Sequence, residues 1–163
     1  DLPIVAEDLG IITEEVRALR RKYGFPGMSV LQFAFDHFDD NPHKPANITT
    51  DTVVYTGTHD NDTCAGWFEG LRPEEKGFVF DVLEVEPTED IARLMIETAM
   101  HSRADLAVAP LQDFLGLGSE ARMNTPGVPT GNWHWKFSWD MLDKGLAGRI
   151  HEMIADTGRL HGR

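Results

Sequence analysis

A single cysteine, Cys64, stands in 163 residues, which excludes an internal disulfide and leaves a thiolate metal site without a second thiol. A reducing cytoplasm is the compartment expected from this. Basic residues are scarce as well: fifteen Lys and Arg face twenty-seven Asp and Glu, a formal charge of −12. A field of that sign repels phosphate backbones and anionic lipid surfaces, so neither nucleic acid nor membrane is an expected partner. No apolar run approaches the ~20 residues that cross a bilayer. The seven histidines lack His-Glu-x-x-His or comparable spacing, so no metal site is expected. There is no internal repeat and no low-complexity tract.

Hydrophobic residues make up 41% of the chain, enough for the core of one globular domain spanning residues 1–163. The sequence begins at Asp1 and enters the apolar run Ile4-Val5-Ala6 at once, a start expected of a cut inside a longer protein. Apolar runs at residues 3–6, 28–35, 52–56 and 105–109 predict buried strands. Helices are predicted from a Thr13 cap to about residue 22, where Gly24 and Pro26 stop it, and over 73–83, 89–101 and 139–157. Between them lie turn-rich segments at 36–47, 57–63 and 116–135, the first too polar to pack internally. This alternation predicts parallel βα units. Four such strands are about half of an eightfold barrel, whose full length is typically ~250 residues, so the other half is expected before Asp1.

Glu7 and Asp8 follow the first predicted strand. The strand ends of a barrel build its active site, so this acidic pair is read either as catalytic or as a helix cap. His59, Asp60, Asn61 and Asp62 follow the third strand and exceed what one cap needs. Asp62 is the expected cap, which leaves His59 and Asp60 to face a ligand. Such side chains hydrogen-bond vicinal sugar hydroxyls, and a carboxylate near the ring favours positive charge developing at the anomeric carbon. A calcium loop is disfavoured, because Cys64 and Ala65 stand where an oxygen ligand and a glycine are needed.

Other patterns carry less. Gly116-x-Gly118-x-x-Ala121 matches a dinucleotide fingerprint but lacks the strand, turn and helix around it. Asn47-Ile48-Thr49 and Asn61-Asp62-Thr63 are sequons that matter only in a secreted protein. Trp133 and Trp135, with Asn124 and Asn132 nearby, join aromatic surface to amide groups. They are read either as a sugar platform or as buried loop anchors.

Four ordered stretches resemble motifs of the 4-alpha-glucanotransferase (amylomaltase) family: Pro3 to Gly10, Gly27 to Phe33, Tyr55 to Thr63 and Gly118 to Gly127. The resemblance covers essentially the whole chain. It implies the C-terminal half of a (β/α)8 TIM barrel of the alpha-amylase clan, acting by a retaining mechanism on α-1,4-glucans and maltooligosaccharides without a cofactor. Glu7 would be the general acid/base, starting protonated, and Asp60 the carboxylate that stabilises the transition state. His59 would bind sugar, with Asp8, Asn61, Asn124 and Trp133 as further substrate contacts. The aspartate nucleophile of that family, in an arginine-containing motif, has no match in this sequence. The resemblance therefore implies an incomplete site that pairs with the missing N-terminal half or self-associates. Alternatives are an α-glucan hydrolase of the same clan and a glucan-binding fragment without catalysis.

Overall fold

The computed structural model describes residues 4–160. Three short strands, β1 (Gly27–Val30), β2 (Thr52–Tyr55) and β3 (Leu106–Val108), make a parallel sheet in the order β1-β2-β3. Val30 stands opposite Tyr55, and Tyr55 opposite Val108, so the three strands end at one level. Six helices accompany them among the described residues: α1 (Glu14–Lys22), α2 (Cys64–Glu69), α3 (Pro73–Leu83), α4 (Ile91–His101), α5 (Leu111–Phe114) and α6 (Leu146–Asp156). None is long and apolar enough to cross a membrane. The architecture is α/β.

Helix α4 supplies the core with Ile91, Ala92, Met95, Ile96, Ala99 and Met100. That spacing puts six apolar residues on one helical face. Four of them, Ile91, Ala92, Met95 and Ala99, pack with Leu31, Val54, Cys64, Val79 and Phe80 in one cluster. Each large aliphatic side chain buried there contributes ~1.5–3 kcal/mol. Asp90 starts α4 by accepting the Arg93 N–H at 3.1 Å. In β3 the faces alternate, with Ala107 packed against the cluster and Leu106 and Val108 exposed.

The strands predicted around 52–56 and 105–109 are β2 and β3, and the helices predicted at 73–83 and 89–101 are α3 and α4. Other elements differ from expectation. Residues 4–6 form no strand, and Pro3 lies outside the described residues. The segment does run beside β1 in the same direction, since Ala6 donates to the Pro26 carbonyl at 2.9 Å and Asp8 Oδ1 accepts the Met28 N–H at 2.7 Å. A side chain takes the place that a backbone carbonyl holds in a ladder, and the pairing stops there. Strand β1 ends sooner than predicted for the same reason. Its Val30 N–H donates to His43 Nδ1 at 3.2 Å, after which the chain turns into a 3-10 helix at Leu31–Phe33.

The predicted helix over 139–157 is split into a 3-10 turn at Trp139–Met141 and α6, because Asp143 accepts the Gly145 N–H and pairs with Arg149 in the interruption. Loop 36–47 is better packed than its polarity predicts. Asn41 is 7% exposed and donates to the Phe33 carbonyl, while Asn47 donates to the carbonyls of Asp39 and Asn41. Thr13 sits at the N-cap of α1 without making a side-chain cap bond.

Candidate active site

The turn that leaves β2 is built by its own side chains. Thr56 extends the ladder by donating its N–H to the Val108 carbonyl at 3.3 Å. Asn61 Oδ1 then accepts both the backbone N–H and the hydroxyl of Thr58, at 2.9 and 2.8 Å, which closes the turn over His59 and Asp60. Helix α2, which the sequence reading missed, begins directly after it. Its cap is Thr63, whose hydroxyl accepts the Gly66 N–H at 3.1 Å, and not the expected Asp62. Asp62 has other partners: Oδ1 takes the Thr63 N–H, and Oδ2 accepts the Ser119 hydroxyl at 2.7 Å.

That last bond brings in the second loop. A 3-10 turn at Ser119–Ala121 leads to Arg122, which donates to the Asp60 carbonyl at 2.7 Å and to the Asn124 carbonyl at 2.8 Å. Asn124 donates its Nδ2 to Asp60 Oδ1 at 2.6 Å and its backbone N–H to the His59 carbonyl at 3.1 Å. His59 Nε2 lies 3.3 Å from the same Asp60 oxygen. The His59 and Trp133 rings stand 5.3 Å apart at 36°. Trp133 holds a positive φ of 63°, a conformation that costs a bulky residue energy. Its N–H donates to the Met123 carbonyl at 2.6 Å, and Asn132 braces the same hairpin through Thr125 and Val128.

Asp60, His59 and Trp133 remain open to solvent, the Asp60 side chain 48% and Trp133 57% exposed. The two loop tryptophans differ in burial, Trp133 being exposed and Trp135 partly buried. An anchored carboxylate with an imidazole, an amide and an exposed indole beside it offers hydrogen bonds to sugar hydroxyls, a stacking face and negative charge near a cationic ring. Among the described residues no three His, Cys, Asp or Glu side chains converge as a metal set.

Glu7 and Asp8 are not drawn into this cluster by any hydrogen bond or ion pair among the described residues. Glu7 is exposed and accepts the Leu9 N–H at 2.9 Å. Asp8 holds the scaffold with both oxygens. Besides the Met28 bond, its Oδ2 lies 3.4 Å from Arg20 Nε, near enough for charge attraction but without hydrogen-bond geometry. Arg20 in turn donates to the carbonyls of Phe25 and Asp51 and to the Asp51 carboxylate. The Thr49 hydroxyl and then Arg20 hold the Asp51 carboxyl below its ordinary range. Arg122 and Ser119 join this candidate site through Asp60 and Asp62, and no local pattern marks either of them, although both lie inside the stretch from Gly118 to Gly127.

A family model described as 4-alpha-glucanotransferase matches residues 1–142. The chain is 50% identical to a 4-alpha-glucanotransferase of Synechocystis sp. over 98% of this chain and 32% of that protein. With the Thermus thermophilus enzyme of that name it shares 47% over 98% of this chain and 33% of the relative. A chloroplastic/amyloplastic 4-alpha-glucanotransferase of Solanum tuberosum is 49% identical over 96% of this chain and 28% of its own length. Among solved structures, amylomaltase from Streptococcus agalactiae in complex with acarbose superposes with a TM-score of 0.92 at 33% identity, covering 99% of this chain and 33% of that one. Amylomaltase from Corynebacterium glutamicum shares the fold with a TM-score of 0.69 at 20% identity. The chain thus spans about a third of the length of the relatives it matches.

Proposed function

The chain belongs to the 4-alpha-glucanotransferase family, and on that premise we propose that it supplies part of the active site of an enzyme transferring segments of α-1,4-glucan to the 4-hydroxyl of a glucose or glucan acceptor. The observation that carries the reading is the Asp60 carboxylate, exposed yet anchored by Asn124 and flanked by His59 and Trp133. A glucosyl ring leaving its bond with retention passes through an oxocarbenium-like state, and a fixed carboxylate there stabilises the charge more in that state than in the bound substrate.

In this reading Glu7 donates the proton to the leaving oxygen and later takes one from the acceptor hydroxyl. Asp8, with both oxygens on the scaffold, serves by holding Glu7's segment against β1, in place of the sugar contact expected from sequence. His59 and Asn124 meet sugar hydroxyls, Trp133 stacks on a ring, and Asn61 contributes by shaping the turn. The nucleophile comes from another part of the longer protein. The three parallel strands are proposed as a section of its (β/α)8 barrel, with this chain pairing with the N-terminal half. The cytoplasmic assignment rests on Cys64 alone, and the plant relatives are named as chloroplastic/amyloplastic proteins.

Incubation of the full-length protein with maltotriose tests the proposal. Glucose together with maltotetraose and longer products is the expected result, with no net gain of reducing ends. New reducing ends without longer products would identify a hydrolase. Saturable glucan binding without any turnover would identify a binding protein.

A further inference from the structure

The turn that presents His59 and Asp60 has two feet, Thr56 at the end of β2 and Cys64 at the start of α2, and one carboxylate holds both. Asp113, in α5, is 3% exposed. Its Oδ2 accepts the Thr56 hydroxyl at 2.6 Å and the Cys64 thiol at 3.3 Å, and its Oδ1 accepts the Cys64 backbone N–H at 2.8 Å. Thr56 and Cys64 are themselves 0% exposed, so water does not compete for these bonds. Burial, and then the neighbouring Asp113 charge, push the Cys64 thiol well above its ordinary range, which keeps it a proton donor in this contact.

The neighbouring residue reaches the second loop. Gln112 donates to the Ala121 carbonyl at 3.2 Å, immediately before Arg122 and Asn124 take hold of Asp60. One short helix therefore anchors both loops of the cluster. The floor beneath the turn is closed as well: Gln32 Nε2 donates to the Asp62 carbonyl at 2.9 Å, and a Cβ on Gly57 would lie 2.6 Å from that same nitrogen. No Lys or Arg pairs with Asp113 among the described residues. A carboxyl buried without a cation is costly unless its hydrogen bonds compensate, so the three donors on Thr56 and Cys64 define its place.

We propose that Asp113 is a positioning residue for glucan transfer, fixing the span between Thr56 and Cys64 and through it the placement of Asp60 and His59. The inference rests on the function proposed above. It predicts a loss that falls on kcat, because a displaced Asp60 still meets ground-state substrate but no longer meets the charge of the transition state.

The experiment compares Asp113→Asn, Thr56→Val, Thr56→Ser and Val79→Ala in the full-length protein, with kcat and KM for maltotriose disproportionation and the thermal midpoint as readouts. Asn offers one acceptor oxygen where Asp offers two, and Val removes the Thr56 hydroxyl while keeping its shape. Both should lower kcat ~10- to 100-fold with KM within ~2-fold of the parent. Thr56→Ser keeps the hydroxyl and should retain kcat within ~2-fold. Val79→Ala leaves a cavity at a fully buried core position and should lower the midpoint while retaining kcat. If Asp113→Asn does not fold, the contrast between Val and Ser at Thr56 decides alone. Variants of Asp113 and Thr56 that lose midpoint as Val79→Ala does, with kcat intact, would overturn the inference and leave the proposed function standing. A parent protein that makes no transfer product overturns the proposed function and this inference with it.

Discussion

Asn124 donates its side-chain amide to Asp60 Oδ1 at 2.6 Å, joining two loops that are 64 residues apart in sequence. The bond fixes the carboxylate's orientation while leaving half of the side chain open to solvent. A charge held in this way needs little reorganisation when a cationic ring forms beside it.

Asp60→Asn in the full-length protein is accordingly expected to lower kcat by ~10²- to 10³-fold, with the Kd of an unreacted maltooligosaccharide changed less than ~10-fold. Asn124→Ala leaves the charge but loosens it and should cost kcat ~10-fold. Steady-state kinetics with equilibrium binding of the same glucan check this. Collapsed affinity with normal kcat would make Asp60 a binding residue only.

Glu7 accepts the Leu9 N–H through one oxygen, a bond that a glutamine can keep. Glu7→Gln should therefore leave the thermal midpoint unchanged while cutting transfer from maltooligosaccharides ~10²- to 10⁴-fold. A donor with a good leaving group needs little protonation and should be partly spared. Equal losses on the two donor types would remove Glu7 from the acid role.

His43 accepts the Val30 N–H with Nδ1, so that nitrogen is unprotonated in the fold. Burial, the dominant cause, holds its pKa below the ordinary 6.5, against the charges of Asp8 and Asp36, which pull it up. The unfolded chain thus binds the proton more readily, and stability rises with pH between the folded value and 6.5. This contribution is fully present above pH ~6.5 and is lost as pH falls through the folded pKa. Urea midpoints of the full-length protein should fall between pH 7.5 and 5.5, by less in His43→Gln than in the parent. Identical slopes in the two proteins would exclude His43 as a source.

Trp133 presents an exposed indole beside His59. Trp133→Ala should raise KM for longer maltooligosaccharides ~5-fold with kcat within ~2-fold, since an aromatic contact worth ~1 kcal/mol acts on bound substrate and transition state alike. Titration of maltoheptaose should quench tryptophan emission in the parent and much less in the variant. A change in kcat without one in KM would count against a stacking role.

The elements that could be read in the sequence are those set by neighbours in the chain. Short apolar runs marked β2 and β3, a helical stripe marked α4, and the polar residues packed behind Tyr55 marked a turn at His59 and Asp60, whose side chains are exposed. Composition also drew notice to Asn124 and Trp133, but left a sugar platform and a buried loop anchor equally open; the exposure of Trp133 came from the tertiary structure. Tertiary structure decided the rest. The 57–63 turn and the 118–124 loop meet through bonds spanning 57 to 64 residues, and nothing local to either loop reports the partner. Likewise the choice of Thr63 over Asp62 as the α2 cap was settled by Ser119, which claims Asp62 from 57 residues away. Asp8 also finds its partners outside its own turn, at the Met28 N–H on the edge of β1 and at Arg20. Side-chain propensity acts over a turn or two of chain, whereas the partner a polar group finds depends on which segments the sheet register and the packing of α4 and α5 bring within ~3 Å of it.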